Sequence, residues 1–599
     1  MRAINNTLDY LPYGSARYEG PIHDYVEFSE KHQLLNRETW RGFVKVFTED
    51  SDDCNDGWRC EFWGKMMRGA CLTYMYHPTP ELYDVLKEAV LGLLDTVRPD
   101  GRISTYSEAN QFHGWDMWGR KYVLSGLMHF LAITDDEELK ERITVALCKS
   151  ADYIAEHIGN KEGQISIFDT STFWLGVNSC SILEPFIALY SITGKKTYLD
   201  FAEYIISTGG CSEADLVQLA LEDKLMPYEY PEQKAYETMS YFEGILAYYE
   251  LTGKEMYLEA VKKFVERVNE TDITVIGCSG CTHELFDHSV VKQVEYSSKI
   301  MQETCVTVTW IRLLSRLMLL TGDIKYADRI EKSGYNALYG AANTESENCY
   351  DLINGRELIA LPFDSYSPLY NGKRGLGTGG LQYMKDGTYY GCCACIASAG
   401  TALLPLTAVL CHKDGLVITG YAEGEINYEF GASKIKLVAT TAYPVCCNYT
   451  LKLFTSTPCQ MKITLRLPEW AEGAKLTVSG EELDFTSNTT LDRVWCDGDR
   501  IDIIFNESLK TTELLGKTSY SYGPIVLARD EMKEGVATDT EFTPTSEYTT
   551  EEPIRGETHR IKLKTEEGEV LLTDYASCGK RWRNKAANVS VWLNAKANN

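Results

Sequence analysis

An internal repeat constrains the fold of this chain more than any other feature. The phrase is LYSITGKKTYLDFAEYII at 189–206, YYELTGKEMYLEAVKKFV at 248–265 and LMLLTGDIKYADRIEKSG at 317–334, with degraded copies at 130–147 and 74–91. In each copy an apolar-periodic segment stops at Thr-Gly or an equivalent polar break, and a second amphipathic segment begins a few residues later. Such a break is typical of a helix C-cap followed by the start of the next helix.

The spacing of the repeat predicts the architecture. Thr134, Thr193, Thr252 and Thr321 lie 59, 59 and 69 residues apart, which is enough chain for two helices with their connections. Five such helical hairpins between about residues 60 and 340, with room for another, predict a closed (α/α)6 toroid, also called a barrel. An open solenoid of the same hairpins is the alternative.

The character of the sequence changes after Pro405. Short, alternating, β-branched segments such as GLVITGYAEG, KIKLVATTAY and QMKITLRLPEW are separated by Gly, Pro, Asp and Asn, as expected for the strands of a sandwich. The stretch 530–560 is rich in Thr, Glu and Pro and predicts a long loop or linker. We therefore predict a multidomain chain, α and then β, with these parts: an N-terminal extension that could pack on the β-sandwich (1–20), an (α/α)6 barrel domain (21–410), a β-sandwich domain (411–530), and a linker with a small C-terminal β module (531–599).

Length and composition exclude some classes of partner. A chain of 599 residues is too long for one hydrophobic core. Its formal net charge of −27 disfavours nucleic acid and membranes as partners. The start of the sequence has no apolar stretch behind a basic segment, and no apolar run reaches the roughly 18 residues of a transmembrane helix, so we expect a cytoplasmic protein. The 19 irregularly spaced cysteines are then expected to be reduced thiols rather than a disulfide framework.

Three short segments hold the residues that can carry chemistry: HELFDH at 283–288, QETCVTVTW at 302–310 and YYGCCACIASAG at 389–400. Their thiolates and carboxylates can build a four-coordinate zinc site. Glu303 and Cys305 are two positions apart, so they can reach one ion only at a helix start or in an irregular segment. Since buried thiols are the default for a single cysteine, a metal site and inert structural thiols both remain open on these residues alone.

Two further motifs compete with this interpretation. Cys278-Ser-Gly-Cys281 has a familiar zinc or redox spacing, but no second CxxC accompanies it. His283-Glu284 with His288 resembles a zincin motif, but the second histidine comes one position too late for the helix face that HExxH requires. We therefore reject a metalloprotease. No GxSxG, P-loop or strand-borne GxGxxG motif occurs in a suitable context.

These segments resemble glycoside hydrolase family 127 and its relatives, the β-L-arabinofuranosidase group, which use a cysteine nucleophile on a zinc ion. The family's G-E-A-F, A-E-T-C and Cys-Cys motifs are matched by His-Glu284-Leu-Phe, Gln-Glu303-Thr-Cys305 and Gly-Cys392-Cys393. The resemblance extends to the LTGDIKYADRIE run after Cys305 and to WRCEFWGKMMRGA at 58–70 and YGPIVLA at 522–528. It covers most of the chain, although only the three Glu/Cys motifs are specific.

The resemblance implies a retaining exo-glycoside hydrolase that releases a terminal sugar, with L-arabinofuranose or a related plant cell-wall sugar as the first expectation. The implied cofactor is Zn²⁺, and its ligands would be Glu303, Cys305, Cys392 and Cys393. Cys392 would be the nucleophile and Glu284 the general acid/base. The implied partner is an oligosaccharide or glycoside, and a homodimer is compatible with it. The expected sugar contacts are Glu331, Tyr366, Tyr370, Trp115 and Lys234.

The chain also departs from the family pattern. Glu284 and Glu303 are 19 residues apart rather than sixteen, so Asp287 is a rival acid/base. Ser179 and Lys234 take the places of two pocket histidines, and a helix at 115–124 with Asp116, Arg120 and Lys121 replaces a histidine-bearing segment. Arg120 and Lys234 would suit an acidic sugar, although ion-paired helix residues are the more ordinary explanation. We expect one or two tryptophans to line the pocket and the others to fill the core, among Trp58, Trp63, Trp115, Trp118 and Trp174.

Two alternatives belong to other functional classes. One is an (α/α)6 polysaccharide lyase or hydrolase that uses only carboxylates or tyrosine, with structural cysteines. The other is a non-catalytic carbohydrate-binding scaffold in which any zinc is structural.

Overall fold

The computed structural model describes residues 4–49, 60–171, 173–295, 302–345, 348–351, 356–374, 376–377, 381–383, 389–554, 556–580 and 587–596. Long helices occupy the chain up to Ala408 and β-sheets follow, which confirms the predicted order of α and then β. The helices are α1 (Pro21–Ser29), α2 (Arg37–Lys45), α3 (Phe62–Tyr76), α4 (Pro80–Leu94), α5 (Asp116–Ile133), α6 (Glu137–His157), α7 (Val177–Cys180), α8 (Leu183–Thr193), α9 (Lys196–Ser207), α10 (Leu216–Glu222), α11 (Ala235–Thr252), α12 (Glu255–Thr271), α13 (Ser289–Lys292), α14 (Thr304–Thr321), α15 (Tyr326–Lys332), α16 (Tyr339–Ala341), α17 (Cys392–Ala408) and α18 (Glu531–Glu534).

Within the described residues, six helices form a closed inner ring: α3, α5, α8, α11, α14 and α17. Each contacts the next in this order, and α17 contacts α3, so the ring is a closed toroid and not an open solenoid. The inner helices are buried around most of their circumference. The outer helices, including α4, α6, α9 and α12, bury one apolar face against them. The fold class predicted from the repeat is thus confirmed.

The repeated phrase is the turn between an inner and an outer helix. Gly194, Gly253 and Gly322 follow α8, α11 and α14 with φ values of 68°, 67° and 74°. The N–H of each glycine donates to the carbonyl four residues earlier. Glycine adopts this left-handed conformation at little cost, so it ends the helix and lets the chain reverse. Because each reversal sends the chain back along the outside, successive inner helices run parallel and begin at the same end of the ring.

Two helical stretches have the length and composition of membrane spans. They are Trp174–Thr193 and Thr304–Thr321, and 67% and 89% of their apolar windows are buried inside the protein. The second stretch is the inner helix α14. The apolar surface of both stretches therefore belongs largely to the core of the ring.

The β-sandwich consists of two sheets. One has the strand order β1-β10-β11-β15-β18 and the other β17-β16-β19-β14-β13-β12-β2. Two strands come from the N-terminal segment, since β1 pairs with β10 and β2 pairs with β12. The strands are β1 (Asp9–Tyr10), β2 (Ala16–Tyr18), β10 (Val409–His412), β11 (Gly415–Ile418), β12 (Gly424–Phe430), β13 (Ser433–Ala442), β14 (Cys446–Thr455), β15 (Cys459–Leu465), β16 (Lys475–Val478), β17 (Glu481–Leu483), β18 (Thr489–Trp495) and β19 (Arg500–Ile504).

Further short strands lie within the helical part of the chain. The hairpin β3-β4 follows α9, and β5 to β9 precede α17. Their pairing leads the chain into the start of α17, because β9 ends at Gly391. These strands are β3 (Gly210–Cys211), β4 (Ala214–Asp215), β5 (Asn348–Asp351), β6 (Arg356–Ile359), β7 (Leu376–Gly377), β8 (Leu381–Tyr383) and β9 (Tyr389–Gly391).

A third sheet forms the C-terminal region and corrects two expectations. Its order is β20-β21-β22-β25-β24-β23, and β26 pairs with β22. The predicted boundary at residue 530 therefore falls inside one sheet. The predicted loop at 530–560 contains the edge strand β23, whose mostly exposed side chains give it no apolar alternation to recognise. The strands are β20 (Leu509–Leu514), β21 (Lys517–Tyr522), β22 (Ile525–Asp530), β23 (Pro544–Glu551), β24 (Arg560–Thr565), β25 (Gly568–Asp574) and β26 (Val589–Ser590).

Glu331 joins the helical ring to the β-sandwich and does not lie at the thiol cluster. Its Oε1 accepts hydrogen bonds from Arg466 Nη2 at 2.6 Å and from the Tyr443 hydroxyl at 2.5 Å. Arg466 Nη1 also donates to Asp328 Oδ1 at 2.6 Å, and the arginine side chain is 1% exposed. The expectation that Glu331 contacts sugar is therefore corrected: the β-sandwich supplies its partners, which a motif within the helical region could not reveal.

This buried network predicts a stability effect. Replacing Arg466 with Leu should lower the free energy of unfolding by about 3–5 kcal/mol, because the Glu331 and Asp328 carboxylates would stay buried without their partner. Urea denaturation followed by circular dichroism measures this change. Arg500→Leu is the matched control, since its pair with Asp502 on the same sandwich is half-exposed and such pairs contribute little. An equal effect of both substitutions would contradict the role of the network.

Candidate active site

Four potential metal ligands meet at the end of the ring where the inner helices begin. The ligand atoms of Glu303, Cys305, Cys392 and Cys393 all lie within 4.8 Å of one another. Cys393 Sγ is 3.2 Å from Cys305 Sγ, 3.9 Å from Cys392 Sγ and 3.7 Å from Glu303 Oε1. The structure thus brings together all four residues that the resemblance implied as zinc ligands.

Helix starts explain how this cluster forms. Glu303 is the N-cap of α14 and has extended backbone angles, φ −75° and ψ 130°, whereas Cys305 is already in the first helical turn. The change of backbone conformation between them lets residues two apart face one point. Cys392 and Cys393 are the first two residues of α17, after Gly391. The partial positive charge of a helix N-terminus favours anionic groups, so both helix starts suit thiolates and carboxylates.

The cluster has the donor set of a zinc site. Three thiols and one carboxylate are the ligand types and number that tetrahedral Zn²⁺ prefers. Glu303 Oε2 is buried and has no hydrogen-bond partner among the described residues, so it has an acceptor position available for a cation. Thiol hydrogen bonds from Cys305 and Cys393 hold the pKa of Cys392 well below its usual range, and the charges of Lys65 and Lys234 add to this effect. The group can therefore hold a metal ion.

Glu284 lies beside the cluster on a loop that pairs with the segment before α11. Its Oε2 accepts a hydrogen bond from Lys234 Nζ, and its Oε1 accepts one from the Tyr366 hydroxyl at 2.5 Å. Backbone bridges of Lys234 to Leu285 and of Glu303 to Tyr366 fix these side chains relative to one another. Burial raises the pKa of Glu303, and the charge of Glu284 raises it further. The structure thus places Glu284, Lys234 and Tyr366 together at the mouth of the cluster.

Strained backbone conformations occur in the two loops that carry Glu284 and Glu303. Glu284, its neighbour His283 and Gln302 have φ values of 64°, 52° and 56°. The Gln302 side chain is buried and hydrogen-bonded to the loop that follows α12, since its Oε1 accepts from the Thr274 hydroxyl at 2.7 Å. Non-glycine residues with positive φ are costly and concentrate at functional sites, where the surrounding structure holds them. The strain therefore supports a functional role for the loops that carry Glu284 and Glu303.

Asp287 has a different environment from Glu284. Its Oδ1 accepts from the Ser289 hydroxyl at 2.7 Å, and its Oδ2 lies 3.3 Å from Lys292 Nζ. Both partners belong to the short helix α13. The rival acid/base is thus engaged in the local structure of the loop, whereas Glu284 faces the cluster.

Aromatic side chains lie next to Lys234. Its ammonium lies 4.8 Å from the centre of the Trp174 ring, and Trp115 stacks on Phe173 with 5.5 Å between ring centres. Trp115 and Trp174 are partly exposed, whereas Trp63 and Trp118 are buried core residues. Trp58, the other tryptophan considered, lies outside the described residues. Trp63 and Trp118 thus belong to the core, and the expectation that one or two tryptophans line the pocket stays a prediction for Trp115 and Trp174.

Other candidates lie away from the cluster. Tyr370 contacts the C-terminal region: Asn594 Nδ2 donates to its hydroxyl at 3.4 Å, and Lys517 Nζ lies 4.0 Å from its ring centre. The expectation that Tyr370 contacts sugar is therefore corrected. Arg120 pairs with Asp116 at 3.0 Å, and both side chains are buried, as the ordinary ion-pair explanation expected.

Sequence reasoning missed three charged residues near the cluster. Lys65 and Glu61 form a buried pair at the start of α3, with 2.8 Å between Nζ and Oε1. Glu237 is buried in the first turn of α11, and burial raises its pKa to about 7. The available signal was a lysine within the otherwise apolar run FWGKMM, since a charge there requires a buried partner.

Comparison with known proteins decides the family. The family model described as "Beta-L-arabinofuranosidase, GH127 catalytic domain" matches residues 19–352, and "Beta-L-arabinofuranosidase, GH127 middle domain" matches 415–506. The chain belongs to glycoside hydrolase family 127. The middle domain corresponds to most of the β-sandwich. Membership confirms the resemblance stated from the motifs, and it makes this protein a glycosidase rather than a non-catalytic scaffold or a lyase.

Individual relatives agree with this assignment. A non-reducing end β-L-arabinofuranosidase of Bifidobacterium longum subsp. longum is 21% identical over 528 residues, and the match covers 77% of this chain and 72% of that protein. Among solved structures, the GH127 β-arabinofuranosidase BT3674 superposes with a TM-score of 0.76 at 17% identity, covering 99% of this chain and 98% of that one. Ara127N-Se, a GH127 β-L-arabinofuranosidase from Geobacillus stearothermophilus T6, gives 0.72 at 18% identity, covering 97% and 100%. At these identities the two structures support the GH127 fold.

The cluster geometry predicts the metal content of this GH127 protein. Purified without chelator, it should contain about one zinc per chain, and Cys305→Ala should lose most of it, because three ligands hold the ion less tightly than four. Elemental analysis of folded protein measures both values. Cys281→Ala is the matched control, since this thiol is equally buried nearby but lies outside the four-residue cluster. Equal zinc in both variants would contradict the assignment of Cys305 as a ligand.

Proposed function

We propose that this GH127 glycosidase is a retaining exo-β-L-arabinofuranosidase, in which the Cys392 thiolate is the nucleophile and Glu284 the general acid/base. The observation that carries the proposal is the juxtaposition of a buried Glu/Cys3 cluster with a carboxylate that is held by Lys234 and Tyr366. Retaining glycosidases need one group that attacks the anomeric carbon and another that protonates the leaving oxygen. The cluster offers the first group and Glu284 the second.

Cys392 is the best-placed of the three thiols for attack. It keeps part of its surface accessible, whereas Cys305 and Cys393 are fully buried. A zinc ion held by Glu303 and the three cysteines would supply the positive charge that keeps the thiols deprotonated at neutral pH. In the first step, Cys392 Sγ forms a bond to the anomeric carbon as the bond from that carbon to the leaving oxygen breaks. Glu284 enters this step protonated and transfers its proton to the leaving oxygen.

The second step releases the sugar and restores the enzyme. Glu284, now a carboxylate, accepts a proton from a water molecule that attacks the anomeric carbon. The carbon–sulfur bond breaks, and its electron pair returns to Cys392 as a thiolate. Lys234 and Tyr366 donate hydrogen bonds to the two oxygens of Glu284 and so fix the position of its carboxyl group for both proton transfers.

The proposed substrate is an oligosaccharide with a terminal β-L-arabinofuranose. Support comes from the family and from the B. longum relative, which is named for the non-reducing end of its substrate. The partly exposed Trp174 ring, whose centre is 4.8 Å from the Lys234 ammonium, offers a flat apolar surface beside the charged groups, and Trp115 stacks on the adjacent Phe173. Sugars present apolar C–H faces and polar edges, so this combination suits a furanose ring.

The direct test is hydrolysis of an aryl β-L-arabinofuranoside with the products followed by proton NMR. A retaining reaction gives the β-anomer first, and the aryl α-L-arabinofuranoside serves as the control substrate. Cys392→Ser should lower kcat/KM by at least roughly 10³-fold, because an alcohol is a much weaker nucleophile than a thiolate. Initial formation of the α-anomer, or full activity of a zinc-loaded Cys392→Ser variant, would overturn the proposed mechanism.

Glu284 and Asp287 give a separate prediction. Glu284→Gln should lower kcat by roughly 10²–10⁴-fold, since the amide cannot transfer a proton. For aryl glycosides whose leaving group needs little protonation, the loss in kcat/KM should shrink because this constant reports the first step, whereas the loss in kcat should remain because hydrolysis of the intermediate still needs the base. Asp287→Asn should retain most of the turnover, because Asp287 accepts a hydrogen bond from Ser289 and forms an ion pair with Lys292 rather than facing the cluster. The reverse ranking of the two variants would reassign the acid/base to Asp287.

A further inference from the structure

A buried lysine next to Cys305 has no part in the steps described above. Lys65 lies in α3 and its side chain is 1% exposed. Its Nζ is 2.8 Å from Glu61 Oε1, 3.9 Å from Cys305 Sγ and 4.5 Å from the centre of the Tyr236 ring. Glu61 is held in turn by a hydrogen bond from Trp118 Nε1 to its second oxygen. The ammonium group is thus fixed from three sides, with the sulfur of Cys305 within reach.

This contact distinguishes the three thiols from one another. Among the described residues, Cys305 is the member of the cluster whose sulfur has an ammonium nitrogen within hydrogen-bonding distance. Cys393 is fully buried between Cys305 and Cys392, at 3.2 and 3.9 Å from their sulfur atoms. Cys392 remains partly accessible. Each sulfur therefore has a different environment, although all three share one cluster.

The physical effect of Lys65 on Cys305 has a definite sign. An ammonium that donates to a thiolate stabilises its negative charge, and a more stable thiolate is a weaker nucleophile. A site with three thiolates, one carboxylate and a divalent cation carries two net negative charges, which must be balanced when they are buried. Lys65 supplies one positive charge directly beside Cys305.

We propose that Lys65 is a positioning residue of the thiol cluster, which keeps Cys305 as a permanent metal ligand and thereby leaves Cys392 as the sulfur that reacts with the sugar. The proposal rests on the function proposed above. Glu61 and Trp118 act through Lys65, because they fix its ammonium group. The role is distinct from that of Lys234, a second buried lysine near the cluster, whose ammonium bonds to Glu284.

The test is the zinc dissociation constant of the full-length protein, measured by competition with a chromophoric chelator. The variant is Lys65→Met combined with Glu61→Gln, so that no unpaired carboxylate remains in the core. We expect it to bind zinc about 10- to 100-fold more weakly, as is typical when a partner of a metal ligand is lost. Lys65→Arg, which keeps the charge, should recover most of the affinity. Lys234→Met is the comparison variant and should weaken zinc binding less than the loss of Lys65 does, because the Lys234 ammonium bonds to Glu284 rather than to a ligand sulfur.

A spectroscopic readout separates this role from a general loss of packing. In the cobalt-substituted protein, the sulfur-to-cobalt charge-transfer band should move to lower energy in the double variant, because a sulfur without its donor holds its electrons less tightly. Lys65→Gln gives a single-substitution version of both measurements if the double variant does not fold. Unchanged zinc affinity and an unchanged band in these variants would overturn the proposal. An absence of zinc from the wild-type protein would instead overturn the proposed function itself.

Discussion

The parallel alignment of the six inner helices is the constraint on which the rest of the structure depends. Each Thr-Gly turn reverses the chain onto the outer layer, so every inner helix begins at the same end of the ring. Glu303 precedes α14, Lys234 precedes α11, and Cys392 opens α17, which gathers residues far apart in the sequence at one place. Helix starts carry partial positive charge, and the end of the ring where they meet is therefore suited to thiolates and carboxylates.

Because this end of the ring is buried, an ionised side chain is stable there only if it has a charged partner. The cluster concentrates acidic groups in a region with little solvent, where each needs a compensating cation or a proton. Two lysines supply compensation from different sides: Lys65 at Cys305, and Lys234 at Glu284. The same principle operates where Arg466 compensates Glu331, which lies 135 residues earlier in the chain, and so attaches the β-sandwich to the ring. Charge pairing thus serves the active site in one place and domain attachment in the other.

The sequence predicted the parts of this structure that depend on local pattern. The repeat indicated the helical ring, because glycine C-caps leave the same signal in each copy. The motifs around Glu303 and Cys392 indicated the cluster, because each pair of ligands lies within one short segment at a helix start. The motif around Glu284 indicated the neighbouring carboxylate. Lys65 was missed since its contact with Cys305 joins positions 240 residues apart. Glu331 was misassigned for the same reason, as its partners lie in another domain, and the exposed edge strand β23 left no apolar pattern to detect.

The central claim is that Cys392 becomes covalently attached to the sugar, and peptide mass spectrometry tests it most directly. The Glu284→Gln variant, incubated with a β-L-arabinofuranoside that has a highly activated leaving group, should accumulate the intermediate because its hydrolysis needs the missing base. The account predicts that the peptide containing Cys392 gains the mass of one pentosyl group, with fragment ions that place it on that residue. A modification on Cys305, Cys393 or Glu303, or rapid turnover of this variant without any modified peptide, would contradict the account.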